Sequence, residues 1–159
     1  MAADNQQERL DIGWIIGFVD GEGCFHVSIN KQPKMSLGWQ VLPEFRIVQH
    51  KRDEAVLHRI RDALGCGQVV VNHGDRKEVR VRGLENLNRI VTFFRKNPLK
   101  TSKRKNFEIF AEIISIMNKG EHLNRKGLHK IAKLASRMNQ RVQRNLESSE
   151  TTCPTNRNV

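Results

Sequence analysis

The sequence predicts an α+β domain with the element order αββαββα, one antiparallel sheet, and extra C-terminal helices. Two pairs of segments alternate apolar and polar residues with the period of two that marks strands having one dry and one wet face. The segments around them change to the period of amphipathic helices. Clusters of Gly, Pro, Asn and Asp punctuate the boundaries. The folded domain is expected over residues 8–140, with 1–7 and 141–159 as flexible tails that lack an apolar period.

The first element is LDIGWIIGFVD, residues 10–20, a nearly all-apolar helix bearing Gly13 and Gly17, with Gly21 just beyond. It falls short of the ~20 residues needed to span a bilayer. Spacing by four puts the three glycines on one stripe. A mid-helix glycine costs about 0.8–1.0 kcal/mol relative to alanine, so the stripe asks for a close helix neighbour, either in the same chain or in another.

Two strands follow. In CFHVSIN, Phe25, Val27 and Ile29 alternate with His26, Ser28 and Asn30; in WQVLPEFRIVQH, Val41, Phe45 and Ile47 alternate with Gln40, Leu42, Glu44 and Arg46. The loop KQPKMSLG joins them. Residues 53–64 then place Val56, Leu57, Ile60, Ala63 and Leu64 on one helical face, with Asp53 as N-cap and Gly65 as stop. GQVVVN and KEVRVR flank the hairpin turn NHGDR, with Val69, Val71, Val79 and Val81 inward. Helical spacing returns from Leu84 to Phe94, at Phe107–Met117 and at Leu128–Met138.

The chain holds 28 Lys plus Arg against 17 Asp plus Glu, a formal net charge of +11. Such an excess attracts polyanions by releasing condensed counterions and points to nucleic acid, or to a basic ribosomal-type surface. Cys24, Cys66 and Cys153 form no CxxC pair, against a zinc knuckle. The polar N-terminus resembles no secretory signal, so an intracellular protein is expected, in a prokaryotic cytoplasm or an organelle, with no membrane partner and no small-molecule cofactor.

Asp20 and Glu22, in VDGEG, stand at the exit of the apolar helix. Carboxylates are disfavoured beside the negative end of a helix. A bound cation relieves that penalty; a solvated Asp-Gly turn is the plainer reading.

Residues 14–25, WIIGFVDGEGCF, resemble the LAGLIDADG motif, with Ile15 to Gly23 matching it position by position. FRIVQHKRD (45–53), NPLKTSKRKNFEIF (97–110) and EHLNRKGLHKIAKLASRMN (121–139) are similar, in order, to later segments of the LAGLIDADG homing endonucleases, specifically the single-motif, homodimeric, intron-encoded kind. The resemblance implies a metal-dependent enzyme, with Mg²⁺ or Mn²⁺, that cuts both strands of a long, nearly palindromic DNA site and leaves 3′ overhangs. It makes Glu22 the metal ligand beside the Gly21 carbonyl, and places Gly13, Ile16, Gly17 and Asp20 at the contact between two motif helices. Ile16 departs from the small residue usual there, and Glu22 from the more frequent aspartate. Gln49 matches a position that holds attacking water. Lys103 matches the basic residue that stabilises charge at the scissile phosphate, with Arg104 and Lys105 as alternatives in register.

On the same analogy, the wet face of the sheet lies in a major groove. The candidate DNA contacts are His26, Ser28, Asn30, Gln40, Leu42, Glu44 and Arg46 on the first hairpin, and Val70, Asn72, Glu78, Arg80 and Arg82 on the second. Basic residues of the last helix add phosphate contacts or solubility. The alternative function is a catalytically silent nucleic-acid-binding protein on the same scaffold, such as an intron RNA maturase; retention of an acidic residue at position 22 favours the enzyme.

Overall fold

The computed structural model describes residues 9–138; both expected tails and the outermost residues of the expected domain lie outside the described residues. The elements are α1 (Ile12–Glu22), β1 (Gly23–Lys31), β2 (Trp39–His50), α2 (Glu54–Leu64), β3 (Gln68–His73), β4 (Arg76–Val81), α3 (Leu84–Lys96), α4 (Lys103–Asn118) and α5 (Arg125–Arg137). The order is the expected α+β succession with two helices appended.

Local chemistry sets most of the boundaries. The Asp11 carboxylate accepts the Trp14 N–H at 3.1 Å and starts α1. Expected to end at Asp20, α1 instead runs through Gly21 and Glu22. Both carboxylates therefore sit in its last turn and not beyond it. The chain then turns at Gly23, where a Cβ would come within 2.6 Å of Val19 Cγ1 and 2.8 Å of the Val19 carbonyl oxygen. Only glycine permits the strand to leave so close to the helix. Asp53 takes the N-cap position of α2 without a side-chain cap hydrogen bond, and Gly65 ends it in the left-handed region at φ 70°.

The four strands form one antiparallel sheet in the order β1-β2-β4-β3. β1 pairs with β2 from Gly23↔Ile47 to Lys31↔Trp39, and β2 pairs with β4 from Phe45↔Val81 to His50↔Arg76. Period two sorts the faces as expected. Phe25, Val27, Val41, Phe45, Ile47, Val79 and Val81 are buried beneath the helices. Phe25 is the aromatic hub, with ring centroids 5.1 Å from Phe45, 5.3 Å from Phe110, 5.5 Å from Phe107 and 5.8 Å from Phe94. Such ring pairs contribute about 0.5–1.5 kcal/mol each beyond area burial, and they tie β1 to α3 and α4.

Two core assignments differ. Val71 is 59% exposed, because β3 is the outer strand and its far end extends past the helix layer. Ala63 is exposed on α2 although it shares the helical face of Ile60 and Leu64. No helix among the described residues is long and apolar enough to cross a membrane.

Candidate active site and nucleic-acid interface

α1 packs on the sheet through Ile15 and Val19, which are 1% and 0% exposed. Its opposite side is open. Gly13, Gly17, Gly21 and Glu22 are exposed, and a Cβ built on Gly17 or Gly21 meets no atom within 4 Å. At Gly17 and Gly21 the stripe thus answers to no neighbour within the described chain, while a Cβ on Gly13 would come within 2.9 Å of the Asp11 cap. Two large apolar side chains of α1 that the sequence did not single out are also exposed: Ile12, 49% exposed, and Trp14, 43% exposed and stacked on Phe18 at 4.9 Å. Ile16 is half-buried and packs partly against the core.

Asp20 faces its own chain. Its carboxylate accepts the Lys100 N–H at 2.8 Å, the Thr101 N–H at 3.2 Å and the Thr101 hydroxyl at 2.8 Å. These hydrogen bonds fasten the segment that leads into α4. Burial alone would raise its pKa; the Lys100 and Thr101 hydrogen bonds, with the nearby Lys103 charge, outweigh that and hold the carboxyl below its ordinary value.

The fastened segment delivers Lys103. Its N–H donates to the Thr101 hydroxyl at 3.2 Å, and its ammonium donates to the Val19 carbonyl at 3.0 Å. Burial pushes the Lys103 pKa down, while Asp20 and Glu22 pull it back up. Among the three candidate basic residues, geometry separates Lys103. Arg104 is exposed and pairs with Glu108 of its own helix at 3.3 Å, and Lys105 is exposed. α4 opens with these three basic residues and no acidic one. That arrangement opposes the positive helix end and is relieved by an anion. The partner of Asp20, Thr101, escaped sequence reading because nothing local marks a contact so distant in the chain.

Gln49 lies at the same end of the sheet. Gly23 follows Glu22 directly and pairs with Ile47, so Gln49 stands two residues beyond that pair, on the helix-covered face, opposite Lys77. Among the described residues, no three His, Cys, Asp or Glu side chains converge to enclose a metal ion. Glu22 is exposed and makes no hydrogen bond or ion pair with the described residues.

The candidate DNA contacts share the face turned away from the helices, but not equally. Leu42, Asn72 and Arg82 are exposed; Ser28, Asn30, Gln40, Arg46, Val70 and Arg80 are half-buried. His26, Glu44 and Glu78, expected to face outward, are 5%, 7% and 0% exposed. Arginines and an amide lie over the two carboxylates: Arg46 and Arg82 at Glu44, Arg80 and Asn72 at Glu78. Ser28 and Asn30 are linked through their side chains at 3.5 Å. Gln68, directly across from Arg80 and exposed, belongs to the same surface and was missed because the sequence pattern starts at the valines after it.

Comparison with known proteins agrees with this geometry. A family model described as LAGLIDADG endonuclease matches residues 15–114. The crystal structure of a homing endonuclease, I-TnaI, is similar with a TM-score of 0.80 and 52% identity, covering 82% of this chain and 88% of that one. I-LtrWI, solved bound to target DNA, gives 0.80 and 37% identity, covering 83% of this chain and 45% of that one. A Neurospora crassa probable intron-encoded endonuclease 2 is 32% identical over 143 residues, 88% of this chain and 32% of its own. A Podospora anserina uncharacterized 50.9 kDa protein in ND4 intron 1 is 34% identical over 119 residues, 73% of this chain and 26% of its own. The chain spans about a quarter to a third of the length of these two relatives. With its motif helix, its sheet and the order of its elements all matched, the chain belongs to the LAGLIDADG endonuclease family.

Proposed function

We propose that this protein is an intron-encoded homing endonuclease that hydrolyses one phosphodiester in each strand of a long, nearly palindromic DNA site, as a homodimer joined through α1. The observation that carries this reading is the placing of exposed Glu22 and half-buried Lys103, whose ammonium reaches the Val19 carbonyl, at the end of a helix that is open at Gly17 and Gly21. The relatives named as intron-encoded endonucleases and the neighbour solved on target DNA support the substrate class. An intracellular site of action, where DNA is the substrate, follows from that class.

A divalent cation fits here as a shared ligand. Glu22 offers a free carboxylate and Gly21 a carbonyl at an exposed helix end, matching Mg²⁺ or Mn²⁺, ions that keep several waters and take few protein oxygens. When bound, the cation supplies Lewis-acid activation of water and of phosphate oxygen. Gln49, polar and beside the end of α1, orients water for attack in line with the scissile bond. Lys103, held against the Val19 carbonyl, stabilises the charge that develops on the phosphate. Asp20 keeps Lys103 in place through Thr101. Two open glycine faces let two copies of α1 approach until their carboxylates face the same stretch of minor groove, so that the two cuts leave 3′ overhangs.

The test is to incubate the purified full chain with a randomised plasmid library and Mg²⁺, sequence the cut ends, and run Glu22→Gln in parallel. Paired nicks with 3′ extensions are expected, supported also by Mn²⁺ and reduced at least ~10³-fold in the variant. Unchanged cutting by Glu22→Gln removes the metal assignment. Sequence-specific retention of nucleic acid without scission supports a maturase-like binding protein instead.

A further inference from the structure

Two carboxylates lie on the polar face of the sheet in places from which they cannot reach a base. Glu78 is fully buried and Glu44 nearly so, and each sits under side chains that point the other way. Glu78 accepts from Asn72 Nδ2 at 2.6 Å and from Arg80 Nε at 2.5 Å, with Arg80 Nη2 also against it. Glu44 accepts from Arg82 Nε at 2.6 Å. Arg46 Nε is 3.2 Å from Glu44. That last contact is one of charge, because the nitrogen is buried without an aligned hydrogen bond. Arg46 and Arg80 are direct cross-strand partners, a pairing of like charges that is unfavourable unless something nearby neutralises it.

We infer that Glu44 and Glu78 are positioning residues for sequence recognition: each holds one arginine by Nε, Arg82 at Glu44 and Arg80 at Glu78, and turns its outer edge toward the major groove, contacting no base itself. The inference rests on the DNA-cutting reading above. A guanidinium is a flat fork of five donors. Held side-on through Nε, and for Arg80 through one Nη2 hydrogen as well, the guanidinium keeps an N–H on each terminal nitrogen, the end-on pair of donors that matches O6 and N7 of guanine. Asn72 is held the same way. One amide N–H goes to Glu78, leaving the other N–H and the carbonyl oxygen, which together match N6 and N7 of adenine. Asn72 stands where the β3–β4 register shifts between Val71 and His73, a bulge that re-aims a side chain. The carboxylates thus incur the ordering entropy of long side chains on folding, before DNA arrives.

A second role available to buried glutamates, mere neutralisation of a basic face, predicts a uniform effect on all DNA. The experiment separates the two. The full chain and its variants Glu78→Gln, Arg80→Ala, the double variant and Glu44→Gln are each allowed to select from a randomised duplex library in EDTA, and the bound fraction is sequenced. For Glu78→Gln we expect a loss of about 5- to 150-fold in discrimination, confined to the base pairs that Arg80→Ala identifies. Preferences elsewhere should hold, and the salt dependence should steepen by about one phosphate as the released arginine finds the backbone. The double variant should lose no more at those base pairs than Arg80→Ala alone. Glu44→Gln should act on a different set, and it carries the test if Glu78→Gln does not fold. Wild-type preferences retained at every position, or an equal loss at all of them, would overturn the inference. Failure of the wild-type chain to select any sequence would instead defeat the DNA-cutting reading beneath it.

Discussion

The same side chain does opposite things at two places in this molecule. Glu22, in the last turn of α1, is exposed and takes no hydrogen bond or ion pair from the described residues. Glu78, on β4, is fully buried and saturated by Arg80 and Asn72. A carboxylate left free beside a negative helix end is costly in the isolated chain and ready for a cation. A carboxylate enclosed by guanidinium groups is already neutralised and can only orient what encloses it. Environment, not residue type, divides chemistry from positioning here.

The sharpest way to break that division is at the cation nearest the free carboxylate. Lys103→Met keeps the length of the side chain and removes its charge. Single-turnover cleavage of the selected target is expected to fall about 10²–10³-fold, with binding largely kept. Arg104→Ala, which removes an exposed pair with Glu108 in the same helix, should change the rate less than about threefold. Equal losses from the two variants would return the role to the whole basic cluster.

The next effect concerns assembly. Gly17 has open space on its Cβ side, so Gly17→Leu meets nothing in its own chain. It should leave the thermal stability of the monomer unchanged or raise it by up to about 1 kcal/mol, since leucine is the better helix former. Across two facing helices the same side chain prevents close approach, and the proposed homodimer should weaken by about 10- to 100-fold, read by sedimentation equilibrium. A dimer as tight as that of the wild type would move the interface off the glycine stripe.

How far the sequence carries such a comparison depends on how local each cause is. The sheet faces were legible, because alternation is a property of neighbouring residues, and Phe25, Phe45 and Val79 fell inward as their parity required. The glycine stripe was legible for the same reason. What parity cannot say is whether an outward residue is covered. Glu44 is covered by Arg82, 38 positions away, and Asp20 is held by Thr101, 81 positions away. Both stand on the face or helix that the local pattern gives them, but no local pattern names the distant residue that holds each one. Val71 failed for a different reason, since its inward parity puts it at the far end of an outer strand where no helix lies above. The end of α1 was misplaced because Gly21 reads as a helix exit, while the real exit is Gly23, forced by the approach of the strand to Val19.

Asp20 offers the smallest effect and tests a third state of a carboxylate, half-buried and hydrogen-bonded to main-chain donors. In Asp20→Asn one oxygen can still accept, but the amide nitrogen then faces an N–H or a hydroxyl that needs an acceptor. The cost should be about 1 kcal/mol at neutral pH, modest because the group is partly in water. Its sign with pH follows from the depressed pKa. The stabilisation from Asp20 is fully present above the ordinary aspartate pKa and is lost as pH falls through the lower folded value. Thermal melts of the two proteins should therefore differ at pH 7 and converge as pH falls below the ordinary aspartate range, where Asp20 itself becomes protonated. Because Thr101 links Asp20 to Lys103, the same variant should also slow cleavage, by less than Lys103→Met does. A stability gap that persisted unchanged into acid would mean that the charge on Asp20 contributes nothing to holding the α4 entrance, and that Lys103 is placed by its contact with the Val19 carbonyl alone.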